Sequence, residues 1–106
     1  MNDTLINLLK NELYITWEDD ETEVKLQRII KNAIKAVDYK IGGNGEINYN
    51  EAGLEQELLL AYCVYIWNGC GNEFDEAYQN DIMILRHKYE VQQYKGTQGD
   101  GNEEQN

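Results

Sequence analysis

Residues 58–67, LLLAYCVYIW, form the stretch of sequence that decides the fold, because ten consecutive residues carry no charge. In a helix, which turns by about 100° per residue, these side chains would point to every side rather than line one face. The stretch is too short to span a bilayer, which takes about 20 residues. It therefore predicts a core helix, from about Glu51 to Trp67, that is covered on all sides either by the rest of the chain or by a neighbouring copy.

The composition places this helix in one small acidic domain. The chain has 106 residues, 20 acidic and nine basic side chains, a net charge of −11 and no proline. This length is typical of a single domain, and a hydrophobic content of 42% is too high for a disordered acidic chain. The absence of proline favours unbroken helices. The negative charge argues against binding to nucleic acids, because that affinity comes largely from clustered Lys and Arg.

The flanking sequence predicts three further helices. Asp20 followed by Glu23 resembles a capping box, and apolar residues at helical spacing continue from there to Ile41. The predicted helices run from about Thr4 to Glu12, Asp20 to Ile41 and Glu73 to Tyr94, with an extended link at Tyr14–Trp17 and a Gly-rich loop at Gly42–Asn50. The fold class is thus all-α, a compact bundle of about four helices. Residues 1–94 would form the helical domain and residues 95–106 a flexible, extended acidic tail.

No group of residues has the pattern of a catalytic or metal site. Serine is absent, which excludes a serine nucleophile, and His87 is the only histidine. Cys63 lies inside the apolar run, where burial suppresses thiolate formation. The acidic segment 18–23 lacks the central glycine of an EF-hand loop, and Gly42–Gly45 lacks the lysine of a phosphate-binding loop. We therefore expect a protein that is not an enzyme and that holds no cofactor or metal.

The charge is arranged in alternating blocks. Residues 1–23 carry a net charge of −6, residues 24–41 one of +4 and residues 42–57 one of −4. The positive block contains a basic row at helical spacing: Lys25, Arg28, Lys31 and Lys35. This row would be a solvated helix face or a surface complementary to an acidic face of a neighbouring copy. Contact with DNA is the third interpretation, and the net charge opposes it.

The fourth predicted helix is apolar on two sides. Its main stripe includes Ile82 and Leu85, while Met83, Val91 and Tyr94 form a second, weaker line on the opposite side. A helix with two apolar sides suits a protomer that lies between two copies of itself. A head-to-tail contact of this kind closes into a ring when the rotation between copies allows it.

A recognisable order of segments runs through residues 3–94. It consists of Trp17–Thr22, Ile29–Ile34, a Gly-rich loop, Glu57–Tyr62, Tyr65–Gly69 and Asn80–Tyr89. In this order the chain resembles the small helical head–tail connector (adaptor) proteins of long-tailed bacteriophages. The resemblance lies in the pattern of helices, their lengths and a few residue types, and it includes no catalytic motif.

The resemblance implies a structural virion protein at the head–tail interface, present in the host cytoplasm during assembly. Such proteins form a homo-oligomeric ring, usually about 12-fold, that stacks beneath the portal protein. The ring extends the DNA channel, through which DNA passes without specific binding. On its other side it meets a stopper or tail-completion protein, and no membrane takes part.

Three sets of candidate contact residues follow. The resemblance assigns portal docking to the C-terminal segment, with candidates Tyr94, Lys95, Gly96, Thr97 and Gln98. It assigns contact with the next ring to the loop, with candidates Gly43, Asn44, Gly45, Glu46, Ile47 and Tyr49. The basic row and the second apolar line supply the candidates for contact between subunits: Lys25, Arg28, Lys31, Lys35, Met83 and Val91.

Two other functions are compatible with the sequence. An acidic DNA mimic that inhibits a host nucleic-acid-binding protein would exploit the net charge of −11. Such a mimic needs carboxylates along one surface at phosphate-like spacing, whereas here they cluster at helix starts and in the tail, with a basic row between them. A helical regulatory domain with a protein partner is the third interpretation, and only the resemblance separates it from a connector.

Overall fold

The computed structural model describes the backbone of residues 3–98 and the side chains of residues 4–93. This part of the chain contains helices and no strand, which confirms the predicted all-α class. The α-helices are α1 (Asp3–Leu13), α2 (Asp20–Lys40), α3 (Leu54–Trp67), α4 (Phe74–Ala77) and α5 (Gln79–Gln98), and a 3₁₀ turn at Gly71–Glu73 precedes α4.

The apolar helix α3 lies at the centre of the core. It packs mainly against α2 and α1, and over shorter stretches against α5 and the 3₁₀ turn. Leu58, Leu59 and Cys63 of α3 are buried, and the buried side chains of the other helices join them in one cluster. Burial of one leucine side chain contributes roughly 1.5–3 kcal/mol. The buried side chains of α3 therefore contribute substantially to the stability of the fold.

Helix α2 is amphipathic and begins at Asp20, as its sequence predicts, but its N-cap lies one residue earlier than expected. Its buried side chains are Leu26, Ile29, Ile30, Ala33 and Val37. The N-cap is Asp19 rather than Asp20, because the Asp19 carboxylate accepts hydrogen bonds from the backbone N–H and the hydroxyl of Thr22 at 3.1 and 3.0 Å. Asp20 instead lies in the first turn, near the positive end of the helix dipole.

The single fourth helix predicted over residues 73–94 is wrong, since the described chain divides this region into the 3₁₀ turn, α4 and α5. The break is at Tyr78, whose φ and ψ of −115° and 25° are not helical. Its ring stacks on Phe74 at 4.9 Å and meets Tyr65 edge-on at 5.9 Å. Aromatic pairs of this kind contribute about 0.5–1.5 kcal/mol each, enough to favour the bend. The described chain therefore has five α-helices rather than four.

The segment between α2 and α3, residues 41–53, contains neither helix nor strand and includes the predicted loop at Gly42–Asn50. Helix α3 begins at Leu54 rather than near Glu51. Local hydrogen bonds hold this segment in turns. The Asn48 side chain accepts from the backbone N–H of Asn50 at 3.0 Å, and the Gln56 amide donates to the carbonyls of Tyr49 and Asn50 at 3.2 Å. Asn-based turns compete with helix formation, which explains the later start of α3.

Three helices end in the same way, but with different residues. In α1 the N–H of Tyr14 donates to Asn11 and that of Ile15 to Lys10, the paired bonds of a Schellman motif. The residue at the left-handed position is Tyr14, with a φ of 59°. At the ends of α2 and α3 the corresponding positions are Gly42 and Gly69, with φ values of 74° and 78°. Glycine adopts this conformation without strain, whereas tyrosine does not.

Candidate assembly surfaces

The reactive side chains of the chain are few and dispersed. Burial raises the pKa of the Cys63 thiol to about 12, so this thiol stays protonated near neutral pH. His87 is exposed on α5. Among residues 4–93, no three His, Cys, Asp or Glu side chains gather into a possible metal site. None of the helices within residues 3–98 combines the length and the apolar character needed to cross a membrane.

The basic row predicted on α2 lies on its exposed side. Lys25, Arg28, Lys31 and Lys35 are all exposed. Lys25 differs from the others, because its ammonium group lies 4.8 Å from the centre of the Trp67 ring, within cation–π range. Arg28, Lys31 and Lys35 make no ion pair with any side chain in residues 4–93.

Val24 extends this row with an exposed apolar side chain. It is 53% exposed and lies four residues before Arg28, so it shares the side of α2 that carries Arg28, Lys31 and Lys35. We call these four residues the α2 face. The buried residues of α2 lie on the opposite side of the helix, so the α2 face points away from the chain's own core.

A groove with an apolar floor and an acidic rim runs along the uncovered side of α3. We call it the α3 groove. Its apolar lining comprises Leu54, Leu58, Leu60, Ala61, Val64, Tyr65 and Tyr78. The remaining lining residues are Glu12 of α1, Glu57 of α3 and Asp81 of α5. Burial, with contributions from Tyr65 and from the charges of Asp81 and Glu12, raises the pKa of the Tyr78 hydroxyl. The groove was not anticipated from the sequence, because its carboxylates come from three separate helices.

Exposed apolar residues also form a row on the outer side of α5. Met83 and Val91, both predicted there, are 58% and 38% exposed. Ile84, which the prediction left out, is as exposed as Met83 and lies seven residues before Val91, so it belongs to the same side of the helix. We call Met83, Ile84 and Val91 the α5 row.

The α5 row continues towards the C-terminal end of α2 through a second groove. Tyr39, which is 82% exposed, lines this groove together with Met83 and Arg86. An ion pair of 2.7 Å between Lys40 and Asp75 lies at its edge. The apolar surface around Met83 is thus broader than one helix.

The loop candidates divide into an anchored part and an exposed tip. Tyr49 is buried, and its hydroxyl donates to the Asp38 carboxylate at 3.4 Å. Burial, the Asp38 charge and this hydrogen bond raise the pKa of Tyr49. The predicted contact residue Tyr49 therefore belongs to the core, and Gly43 and Ile47 are half-buried. The tip, Asn44 to Glu46, is exposed and is closed by a hydrogen bond from the Glu46 N–H to the Asn44 side chain at 3.2 Å.

A polar network connects α3 with α5 next to this loop. The Glu55 carboxylate accepts from the Lys88 ammonium at 2.7 Å and from the Tyr89 hydroxyl at 2.5 Å. Burial would raise the pKa of Glu55, but the hydrogen bonds from Lys88 and Tyr89 outweigh it and hold the pKa below its usual range. The Gln93 side chain donates to the carbonyl of Gly42 at 3.0 Å. These bonds fix the middle of α5 against α3 and the base of the loop.

The portal-docking candidates lie at the C-terminal end of α5. The backbone of residues 94–98 continues this helix to Gln98, past the predicted helix end at Tyr94. The side chains of Tyr94, Lys95, Gly96, Thr97 and Gln98 lie outside the described residues, as does the whole of segment 99–106.

Comparisons with known proteins add no relative to this description. No family model, no curated protein and no solved structure matches the chain.

Proposed function

We propose that this chain is a structural subunit of a head–tail connector, which forms a ring beneath the portal, extends the DNA channel and joins the capsid to the tail or to a stopper protein. The observation that carries the proposal is the presence of exposed apolar side chains on two separate surfaces of one small chain. Val24 lies on the α2 face, among cations without an ion-pair partner in residues 4–93. Met83, Ile84 and Val91 lie on the α5 row.

A subunit with exposed apolar side chains on two unlike surfaces can contact more than one neighbour at once. A head-to-tail contact uses two unlike patches and generates a ring when the rotation closes. A two-fold dimer would need only one self-complementary patch. The sequence resemblance to head–tail connectors points to the same architecture, and the role calls for no catalysis, cofactor or metal.

The net charge of −11 is compatible with a DNA channel. Proteins bind the DNA backbone by neutralising phosphates with Lys and Arg, which releases counterions. A ring of strongly acidic subunits gains little from this effect. DNA can therefore pass through such a ring without being held.

The DNA-mimic alternative gains no support from the distribution of charge. A mimic needs a continuous acidic surface to fill a basic groove. Here the exposed side of α2 presents Arg28, Lys31 and Lys35 instead. We therefore retain the connector as the proposed function.

Size-exclusion chromatography with light scattering tests the proposal on the full-length chain, alone and mixed with the portal protein encoded by the same genome. We expect the chain to co-elute with the portal and to add a ring to it in negative-stain electron micrographs. A variant with Met83→Asp and Ile84→Asp should lose this binding, while the matched pair Asn80→Asp and Gln92→Glu, on exposed positions of the same helix, should keep it. A strict monomer that never co-elutes with the portal would contradict the proposal.

A further inference from the structure

The α3 groove needs a partner that is both apolar and basic. Its floor consists of the part of α3 that α1 and α2 leave open, including Leu54, Ala61 and Val64, all half-buried. Every charged residue that lines it is a carboxylate: Glu12, Glu57 and Asp81. None of these three makes an ion pair with another residue in the described part of the chain. An apolar floor within an acidic rim favours a ligand with aliphatic stems and positive ends.

The α2 face has these properties. Lys and Arg side chains lay their aliphatic stems on apolar surface and keep their charged ends at its edge. Arg28, Lys31 and Lys35 follow one another at intervals of three and four residues, so they form a straight row about 10 Å long. Val24 adds an apolar side chain at the N-terminal end of this row.

We propose that the α3 groove of one copy receives the α2 face of the next copy in a head-to-tail contact. Val24 and the stems of the basic side chains would cover the apolar floor, and Arg28, Lys31 and Lys35 would pair with Glu12, Glu57 and Asp81. The inference rests on the proposed assembly function and names the two surfaces that meet between neighbours.

The partner is a second copy because the same chain cannot fill its own groove. Within one chain, α2 packs on α3 through its buried side, and the α2 face is on the opposite side of that helix. The segment 99–106 carries three carboxylates and no basic residue, so the acidic rim would repel it. The α2 face is the only row of cations at helical spacing without an ion-pair partner in residues 4–93.

The contact is expected to be moderate in strength and sensitive to salt. Exposed ion pairs contribute about 0.2–1 kcal/mol each, and the Debye length falls from about 10 Å at 0.1 M salt to 3 Å at 1 M. Three pairs and a small apolar contact would hold two copies weakly, while a closed ring adds the contact between first and last copy. The interface would therefore form readily when subunits are gathered on a partner.

Reciprocal charge reversal tests the contact on the full-length chain. Arg28→Glu reverses the α2 face and Glu57→Lys reverses the groove. Sedimentation velocity at about 1 mM protein and low salt should show self-association of the natural chain and at least about tenfold weaker self-association of each variant alone. In an equimolar mixture, the reversed α2 face of Arg28→Glu can meet the reversed groove of Glu57→Lys, and the unchanged α2 face of Glu57→Lys can meet the unchanged groove of Arg28→Glu. Both contacts pair opposite charges, so association should be restored. Circular dichroism would show that both variants are folded.

Matched controls change the net charge outside both surfaces. Glu51→Lys matches the change in Glu57→Lys, and the double variant Asn7→Glu with Asn72→Glu matches the change in Arg28→Glu. All three control positions are exposed, and each control should associate like the natural chain. No association of the natural chain at 1 mM, equal association of all four variants, or a mixture of Arg28→Glu and Glu57→Lys that stays dissociated would each overturn the inference.

The outcome is separable from the fate of the proposed function. If the chain forms a ring on the portal and both reversed variants do so equally well, the function stands and this interface is wrong. If the reciprocal pattern appears but the chain never binds the portal, the interface stands and the connector function is wrong.

Discussion

Helices α2 and α3 lie side by side in one core, yet they meet the solvent in opposite ways. α2 buries one side, including Leu26 and Val37, and turns charged residues outwards. From Leu58 onwards α3 is apolar around its whole circumference. The chain covers it on the sides of Leu59 and Cys63 but leaves Ala61 and Val64 half-exposed. A helix with one apolar side can be covered within its own chain, whereas a helix with apolar residues on every side here keeps part of its apolar surface open to solvent.

The largest expected effect is a difference in the free energy of unfolding between substitutions on the two sides of α3. Leu59→Ala removes a fully buried side chain and should lower the free energy of unfolding by about 2–5 kcal/mol. Val64→Ala, on the groove side, should lower it by less than about 1 kcal/mol, because that side chain already contacts solvent. Urea unfolding of dilute protein measures both. An equal decrease in the free energy of unfolding for both variants would show that the isolated chain covers α3 on all sides. In that case α3, like α2, would have no apolar side left open.

The next largest effect is expected at the C-terminal ends of the helices, where α2 and α3 share a feature that α1 lacks. Both end at a glycine with positive φ, while α1 ends at Tyr14 in the same conformation. Tyr14→Gly should relieve the strain of a left-handed tyrosine and raise the free energy of unfolding by about 1 kcal/mol. Tyr14→Ala keeps the strained Cβ and serves as the control, with no gain expected. Thermal unfolding of the three proteins measures this, and a gain from Tyr14→Ala equal to that from Tyr14→Gly would contradict it.

The smallest effect concerns the bonds that hold α3 against α5. The pKa of Glu55 is lowered in the folded chain, so its ionised form stabilises the fold above the pKa of an unfolded glutamate, about 4.3, and this gain disappears as pH falls through the folded pKa. Glu55→Gln should therefore lower the free energy of unfolding by about 0.5 kcal/mol at pH 7, and by progressively less below pH 4.3. Urea unfolding across this range measures the difference.

Glu51→Gln is the matched control for this effect. Glu51 is exposed and makes no ion pair with the described residues, so its replacement should leave the free energy of unfolding at pH 7 unchanged. A cost of Glu55→Gln that stays constant from pH 7 down to pH 3 would show that the bonds from Lys88 and Tyr89 do not depend on the charge of Glu55.

The features of α2 and α3 that could be predicted from the sequence are those that depend on local residue spacing. Hydrophobic periodicity is local, so the all-α class, the amphipathic α2 and the apolar α3 followed from residue spacing alone. The predicted N-cap of α2, Asp20, differs by one position from the observed cap, Asp19. Aspartate is a good cap at either position, and the hydrogen bonds from Thr22 to the Asp19 carboxylate decide between them.

The remaining features depend on contacts between distant residues. Phe74 and Tyr78 lie in a helical pattern, and the break between α4 and α5 arises from their packing with Tyr65. Tyr49 stands in an Asn- and Gly-rich segment, yet its ring is buried in the core. The α3 groove combines carboxylates from three helices. No local pattern contains these arrangements.

In the proposed assembly, α2 of a neighbouring copy covers the open side of α3. Carbodiimide cross-linking of an equal mixture of unlabelled and 15N-labelled chains tests it most directly, since the reagent joins lysine amines to nearby carboxylates and mass spectrometry distinguishes links within a chain from links between chains. The pairs Lys10–Glu23, Lys40–Asp75 and Lys88–Glu55 are close within one chain and provide internal controls with a single label. We expect mixed-label links from Lys31 or Lys35 to Glu57, Glu12 or Asp81. Links of Lys31 and Lys35 that join two chains only through other carboxylates, or no link between chains at all, would contradict the account.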